Sequence, residues 1–180
     1  MSNEWYTPGE YVEAARKVMG GIDLDPASCE FANRTVKATR FFSKEDNGLM
    51  HPWFGRIWLN PPYGKTLQGG GSNLETFTRY LVNQHLIGNV SQAVLLIPVN
   101  TATSWFPILW EHPTCFPGFR IRFQTEQGPS DGAAFGTCFV YFGVNEQRFT
   151  DVFGKFGRVV RAIDSAAPQP IAHELWEVSA

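Results

Sequence analysis

Arg56-Ile57-Trp58-Leu59-Asn60-Pro61-Pro62-Tyr63 is an apolar strand that runs into a polar amide, two prolines and an aromatic ring. Neither proline can extend a strand's hydrogen-bond ladder, and each locks its own φ. The pair therefore builds a rigid ledge at the strand's C-terminal end and holds Asn60 and Tyr63 still. In open α/β sheets that end is where ligands bind. The Asn60 amide oxygen and the Pro61 carbonyl offer two acceptors, and Tyr63 offers a flat apolar face. This set suits a planar ring carrying an exocyclic amine, and adenine is such a ring. A proline-rich turn with Tyr63 packed on the surface is the plainer alternative.

Outward from this stretch, strands alternate with helices. Thr7-Pro8-Gly9-Glu10 has the form of a capping box, with Thr7 as N-cap and Glu10 reaching back. The helix it opens stops at Gly20-Gly21. Ile22-Asp23-Leu24-Asp25 reads as a short strand ended by Pro26. Residues 30–37 have a helical reading, residues 39–42 a second strand and residues 57–59 a third. The Gly-rich stretch 64–73 has no core pattern and is expected to be mobile without ligand. An amphipathic helix is expected over 73–87. Ala93-Val94-Leu95-Leu96-Ile97-Pro98 is a nearly continuous apolar run, as in a central parallel strand covered on both faces.

Beyond it, residues 103–110 suggest a short helix weakened by Pro107. Strands are expected at 115–116, 120–123 and 137–142, then a closing helix over 147–156 and a terminal segment that pairs at an edge or frays. The pattern predicts an α/β fold: a Rossmann-like sheet, mostly parallel, with a C-terminal antiparallel hairpin and helices on both faces. All 180 residues are expected in one domain, with no separate recognition domain.

Composition narrows the function classes. With 43% hydrophobic and 18% charged residues the chain has the means for an ordinary globular core. No apolar run approaches the roughly 20 residues of a membrane span, and no signal peptide is visible, so a cytoplasmic, membrane-free protein is expected. Cys29, Cys115 and Cys138 have no paired spacing, which points to reduced thiols and no metal site. A net charge of −2 argues against coating nucleic acid by charge alone; basic residues gathered on one face would still serve. Arg34, Lys37 and Arg40, and again Lys155, Arg158 and Arg161, are spaced by three and form stripes if helical. Arg120 and Arg122 make a third set. No obligatory protein partner is evident.

Four motifs in order carry a resemblance: Trp5-Tyr6-Thr7-Pro8, Asp23-Leu24-Asp25-Pro26-Ala27-Ser28, Asp46-Asn47-Gly48-Leu49 and Asn60-Pro61-Pro62-Tyr63. Together they resemble the Dam-like DNA N6-adenine methyltransferases of phages and prophages, through at least Phe142. The resemblance implies S-adenosylmethionine as cofactor, double-stranded DNA as partner and the bacterial host's cytoplasm as the compartment. It implies catalytic roles for Asn60, Pro61, Pro62 and Tyr63. Trp5, Tyr6, Thr7 and Pro8 are implied to close over the methionine end of the donor. Asp25, Pro26, Ala27 and Ser28 correspond to the cofactor loop, with Asp23 a second acidic candidate beside it, and Asp46 is implied to meet the donor's adenine amine. One departure stands out: Cys29-Glu30-Phe31-Ala32 follows the loop where many methyltransferases have a glycine-rich turn.

The chemistry expected is direct in-line methyl transfer to the N6 amine of an adenine flipped out of the duplex and stacked on Tyr63. Lys65, Arg120 and Arg122 are the DNA-contact candidates. The same tetrapeptide admits cytosine N4, RNA or a protein glutamine as target, or a non-catalytic nucleotide- or DNA-binding relative.

Overall fold

The computed structural model describes residues 5–64, 71–125, 128–129 and 135–163. The chain begins with helix α1 (Gly9–Met19), strand β1 (Leu24–Asp25), α2 (Glu30–Val36), β2 (Arg40–Phe41) and β3 (Gly55–Leu59). There follow α3 (Asn73–Leu86), β4 (Val90–Pro98), β5 (Thr114–Pro117), β6 (Gln124–Thr125) and β7 (Gly128–Pro129). β8 (Thr137–Phe142), α4 (Glu146–Phe153) and β9 (Gly157–Val160) close the described chain, and single 3₁₀ turns occupy Gly48–Met50 and Phe106–Leu109.

Seven strands form one sheet in the order β2-β1-β3-β4-β8-β5-β9, while β6 and β7 pair apart as a small hairpin. The near-continuous apolar runs of β3, β4 and β8 arise because helices cover both faces. Trp58, Val94, Leu96, Phe139 and Tyr141 point to one side and pack with α1 and with Phe149 and Phe153 of α4. Their alternates Ile57, Leu59, Leu95, Ile97, Val140 and Phe142 point to the other and pack with Phe77 and Leu81 of α3. Period-two alternation with both phases apolar is what a strand buried on both faces requires.

The sheet is mixed rather than mostly parallel. The ladders of β1 with β2, β1 with β3 and β3 with β4 are parallel. Those of β4 with β8, β5 with β8 and β5 with β9 are antiparallel, as is the separate β6–β7 pair. The longest register, Ala93↔Phe142 through Pro98↔Thr137, belongs to the antiparallel half. The cause is the route of the chain. It returns to the sheet beside the end of β4, where the Val99 N–H donates to the Gly136 carbonyl at 2.9 Å, so β8 must run back the opposite way.

Other expectations also change. Residues 120–123 join no ladder; Ile121 and Phe123 are fully buried and Arg120 and Arg122 exposed, so the alternation reflects an extended segment packed on the core. The expected closing helix ends at Phe153, and Gly157–Val160 is instead an edge strand on β5. Neither basic stripe is helical throughout. Lys37 is the left-handed C-cap of α2 and Arg40 lies in β2. Arg158 lies in β9, and Arg161 pairs with Glu146 at 2.7 Å. Lys65, most of the Gly-rich stretch 64–73 and the terminal segment from residue 164 fall outside the described residues.

Candidate active site

The strand order β2-β1-β3 reverses the winding of the chain between β1 and β3: it leaves β1 toward β2 and comes back on the other side as β3. The crevice outside the carboxyl ends of two such strands is the ligand site of open α/β sheets. Asp25 ends β1 and Asn60 follows β3, so each flanks that crevice.

Asn60 is held by its amide nitrogen. Nδ2 donates to the Trp5 carbonyl at 3.1 Å and to Thr7 Oγ1 at 3.2 Å. Oδ1 faces Tyr63, whose hydroxyl donates to it at 3.3 Å. Pro61 is buried and Pro62 exposed, so the ledge is half sunk in the core. Burial, with Cys138 adding a smaller push, raises the Tyr63 hydroxyl's pKa well above its ordinary value, and it remains a neutral donor.

Around this ledge the rings form a wall that the sequence alone did not reveal. Tyr63 meets Phe135 edge-on at 5.6 Å, Phe135 stacks on Trp5 at 6.4 Å, and Trp5 stands at a steep angle to Phe123 at 5.4 Å. The segment carrying Trp5 and Thr7 is tied down by Tyr6 and Gln124, which exchange backbone hydrogen bonds of 2.9 and 2.8 Å. The Tyr6 ring leans on Phe31 at 4.7 Å.

Asp25 is 3% exposed. Burial pushes its carboxyl up to about 7, against the weaker opposing pull of the Ala27 N–H, which donates to Oδ1 at 3.2 Å. The Ser28 hydroxyl lies close enough to pull the same way, yet it is buried and makes no hydrogen bond. The loop turns without glycine because side chain and neighbour strand supply the bonds: Asp25 holds Ala27, and the Ser28 N–H donates to the Phe42 carbonyl at 2.9 Å. Cys29 then caps α2, its Sγ accepting from the Ala32 N–H at 3.4 Å. A buried carboxylate and an unpartnered buried hydroxyl on one loop are costly to leave unpaired. They fit a ligand that brings hydroxyl or amine hydrogens.

Over residues 1–127 the chain matches the family model described as DNA N-6-adenine-methyltransferase (Dam). The chain belongs to the Dam family. No curated protein matches it. The Dam match spans β1 to β6 and both flanks of the crevice, Asp25 and Asn60, but stops short of Phe135 and Phe142, so the antiparallel return of the chain through β8 lies beyond it.

The other residues singled out in the sequence take different positions. Asp46 is exposed and closes a turn, Oδ2 accepting from the Ser43 N–H and hydroxyl at 2.8 Å each. The next residues lie against the Asp25–Ser28 loop: a Cβ on Gly48 would stand 2.0 Å from the Pro26 carbonyl oxygen, so only glycine fits. Trp53 Nε1 pins this turn by donating to the Gly48 carbonyl at 2.8 Å.

Asp23 does not join the loop. Its carboxylate takes the Arg56 guanidinium at 2.6 and 2.8 Å and the Arg56 N–H at 2.8 Å, which holds its pKa below the usual range. Arg56 lies four residues before Asn60, about 13 Å along a strand. Asp23 is therefore a structural partner at the far end of the ladder. Asp23→Asn is expected to cost about 1 kcal/mol, since both side chains are one-third exposed, and to leave donor affinity unchanged. A calorimetric titration showing weaker donor binding in this variant would return Asp23 to the binding site.

Arg120 and Arg122 lie past the end of β5, on the same sheet edge as Asn60, and border a cleft of about 650 Å³ together with Pro8 and Gln124. A second cleft of about 370 Å³ opens between Val99 and Phe119. Neither is lined by Asp25 or Asn60.

Proposed function

We propose that this Dam-family chain transfers a methyl group from S-adenosylmethionine to the exocyclic N6 amine of an adenine flipped out of duplex DNA. The observation that carries this reading is the one-way grip on Asn60: its NH₂ is committed to Trp5 and Thr7, so its oxygen is turned toward Tyr63 and the crevice. An amine entering there meets an acceptor. Asn60 Oδ1 takes one N6 hydrogen and the Pro61 carbonyl the other, drawing electron density back onto nitrogen and stabilising its developing positive charge. The Tyr63 hydroxyl, a long 3.3 Å from Oδ1, gives way as the stronger contact forms. The ring of Tyr63, backed by Phe135, receives the base by stacking.

The donor, when bound, supplies an electrophilic methyl carbon on a sulfonium. Asp25, Ala27 and Ser28 are the residues that hold it, with Pro26 shaping their loop and the Asp46 turn packed alongside. Trp5, Tyr6, Thr7 and Pro8 cover the crevice, and burial there keeps water from the reacting nitrogen. Arg120 and Arg122 contact the phosphate backbone of the duplex; Lys65 is assigned the same role from the sequence alone. The compartment is the cytoplasm, where the DNA is.

The test is transfer of a labelled methyl group to duplex DNA, followed by digestion. N6-methyladenine is the expected product. N4-methylcytosine, labelled tRNA, labelled protein, or donor binding without any transfer would each overturn the reading. In the same assay, Arg120→Ala with Arg122→Ala is expected to weaken duplex binding. The slope of its salt dependence should fall by about one for each phosphate no longer neutralised.

A further inference from the structure

We propose that Thr7 is a positioning residue that pins the Asn60 amide in place, while the Trp5 carbonyl sets which end of that amide faces the crevice. This rests on the proposed role of Asn60 as an amine acceptor and assigns Thr7 a task different from both capping a helix and binding the donor. Thr7 stands where a capping box predicts an N-cap, yet the N-cap of α1 is Pro8, with no side-chain hydrogen bond at the cap. Thr7 is 8% exposed, and its hydroxyl instead accepts from Asn60 Nδ2 at 3.2 Å. Its partner in the grip is the Trp5 carbonyl, which can only accept, at 3.1 Å.

An asparagine side chain has two nearly isosteric ends, and only hydrogen bonds decide between its two orientations. In the observed one, both Nδ2 hydrogens are used and Oδ1 points to Tyr63. In the flipped one, Oδ1 would face the Trp5 carbonyl, acceptor against acceptor, and the amide would present N–H groups to an incoming amine. That arrangement cannot draw the amine's hydrogens. The Trp5 carbonyl decides against it, and that carbonyl is held in place by the Tyr6–Gln124 bridge and by the Trp5 ring against Phe123. The Thr7 hydroxyl, which can accept or donate, is neutral between the two orientations and instead anchors the amide that Trp5 has oriented. Residues 5 and 7 thus hold a side chain more than 50 positions away.

Thr7→Val keeps the shape and removes the hydroxyl; Thr7→Ser keeps the hydroxyl. Thr7→Val is expected to lower kcat by roughly ten- to hundredfold, the loss that follows when one of two hydrogen bonds holding a catalytic group is removed. Donor Kd and thermal midpoint should stay close to wild type, and Thr7→Ser should recover kcat to within about threefold. A fall in donor affinity matching the fall in kcat would make Thr7 a donor ligand instead. Equal losses in the two variants, or a lowered midpoint in both, would make its role structural. An unchanged kcat in Thr7→Val would end the proposal.

A second readout needs no activity. In ¹⁵N-labelled protein, the Asn60 side-chain NH₂ resonances should shift in Thr7→Val and return in Thr7→Ser. Should the wild type methylate no DNA while this shift pattern holds, the functional reading fails and the anchoring contact stands. If the resonances do not respond to Thr7→Val, the contact itself is refuted.

Discussion

Asn60→Ala is expected to lower methyl transfer by roughly 10²–10³-fold while donor Kd stays within about twofold, because in the proposed reaction the amide is a preorganised group aimed at the reacting amine and not at the donor. The hydrogen bonds of the Asn60 side chain run to Trp5, Thr7 and Tyr63, and none involves Asp25 or Ser28. The alanine variant leaves the Asp25 loop, with its own bonds to Ala27 and Phe42, untouched. Single-turnover transfer to duplex DNA gives the rate, and calorimetric titration of donor gives the affinity. Parallel losses in both would put Asn60 in the donor site and remove the basis for the amine-acceptor role.

The second large effect belongs to Asp25→Asn, and it runs in opposite directions for stability and binding. Burial raises the Asp25 carboxyl to about 7 from an ordinary 3.8. Between those values the folded chain retains a proton that the unfolded chain has released, so this group's contribution to stability falls as pH rises from about 4 to about 7. A rise from 3.8 to about 7 corresponds to roughly 4 kcal/mol. Removing the charge should therefore raise the thermal midpoint at pH 8 and change it little at pH 4. Donor binding should weaken by about ten- to hundredfold at pH 8, since an ionised acceptor for donor hydroxyls or amine is lost. For the wild type, donor affinity should drop as pH falls below about 7, with proton release on binding. A flat affinity from pH 6 to 8, or a variant less stable than wild type at pH 8, would show that Asp25 is not a strained carboxylate awaiting a ligand.

The parts of the fold that could be read in advance are those where burial leaves a periodic mark. β4 and β8 carry apolar residues in both phases and were legible; so was α3, with Phe77 and Leu81 on its buried face. The direction of β8 was not, because a strand's side chains alternate alike whichever way it runs. β9, which alternates intermediate and exposed positions, left only a weak pattern. Residues 120–123 alternate buried and exposed as a strand does, yet find no ladder partner.

In the site, two prolines made Asn60 and Tyr63 conspicuous. Asp23 and Asp25 looked alike, two residues apart on one short strand. Tertiary context separates them, giving one a guanidinium and burying the other. Thr7-Pro8-Gly9-Glu10 had the local form of a cap, but a side chain distant in sequence claims the hydroxyl. Phe135, beside residues 130–134 with no core pattern, gave no signal at all.

Because β8 re-enters beside the end of β4, the connections leaving β1, β3, β4 and β5 and the one leading into β8 converge on a single rim. The opposite rim carries the Asp23–Arg56 pair and the His85 and His112 rings against Phe142. Those rim connections can therefore be lengthened, shortened or swapped without disturbing the double-sided packing on which folding depends.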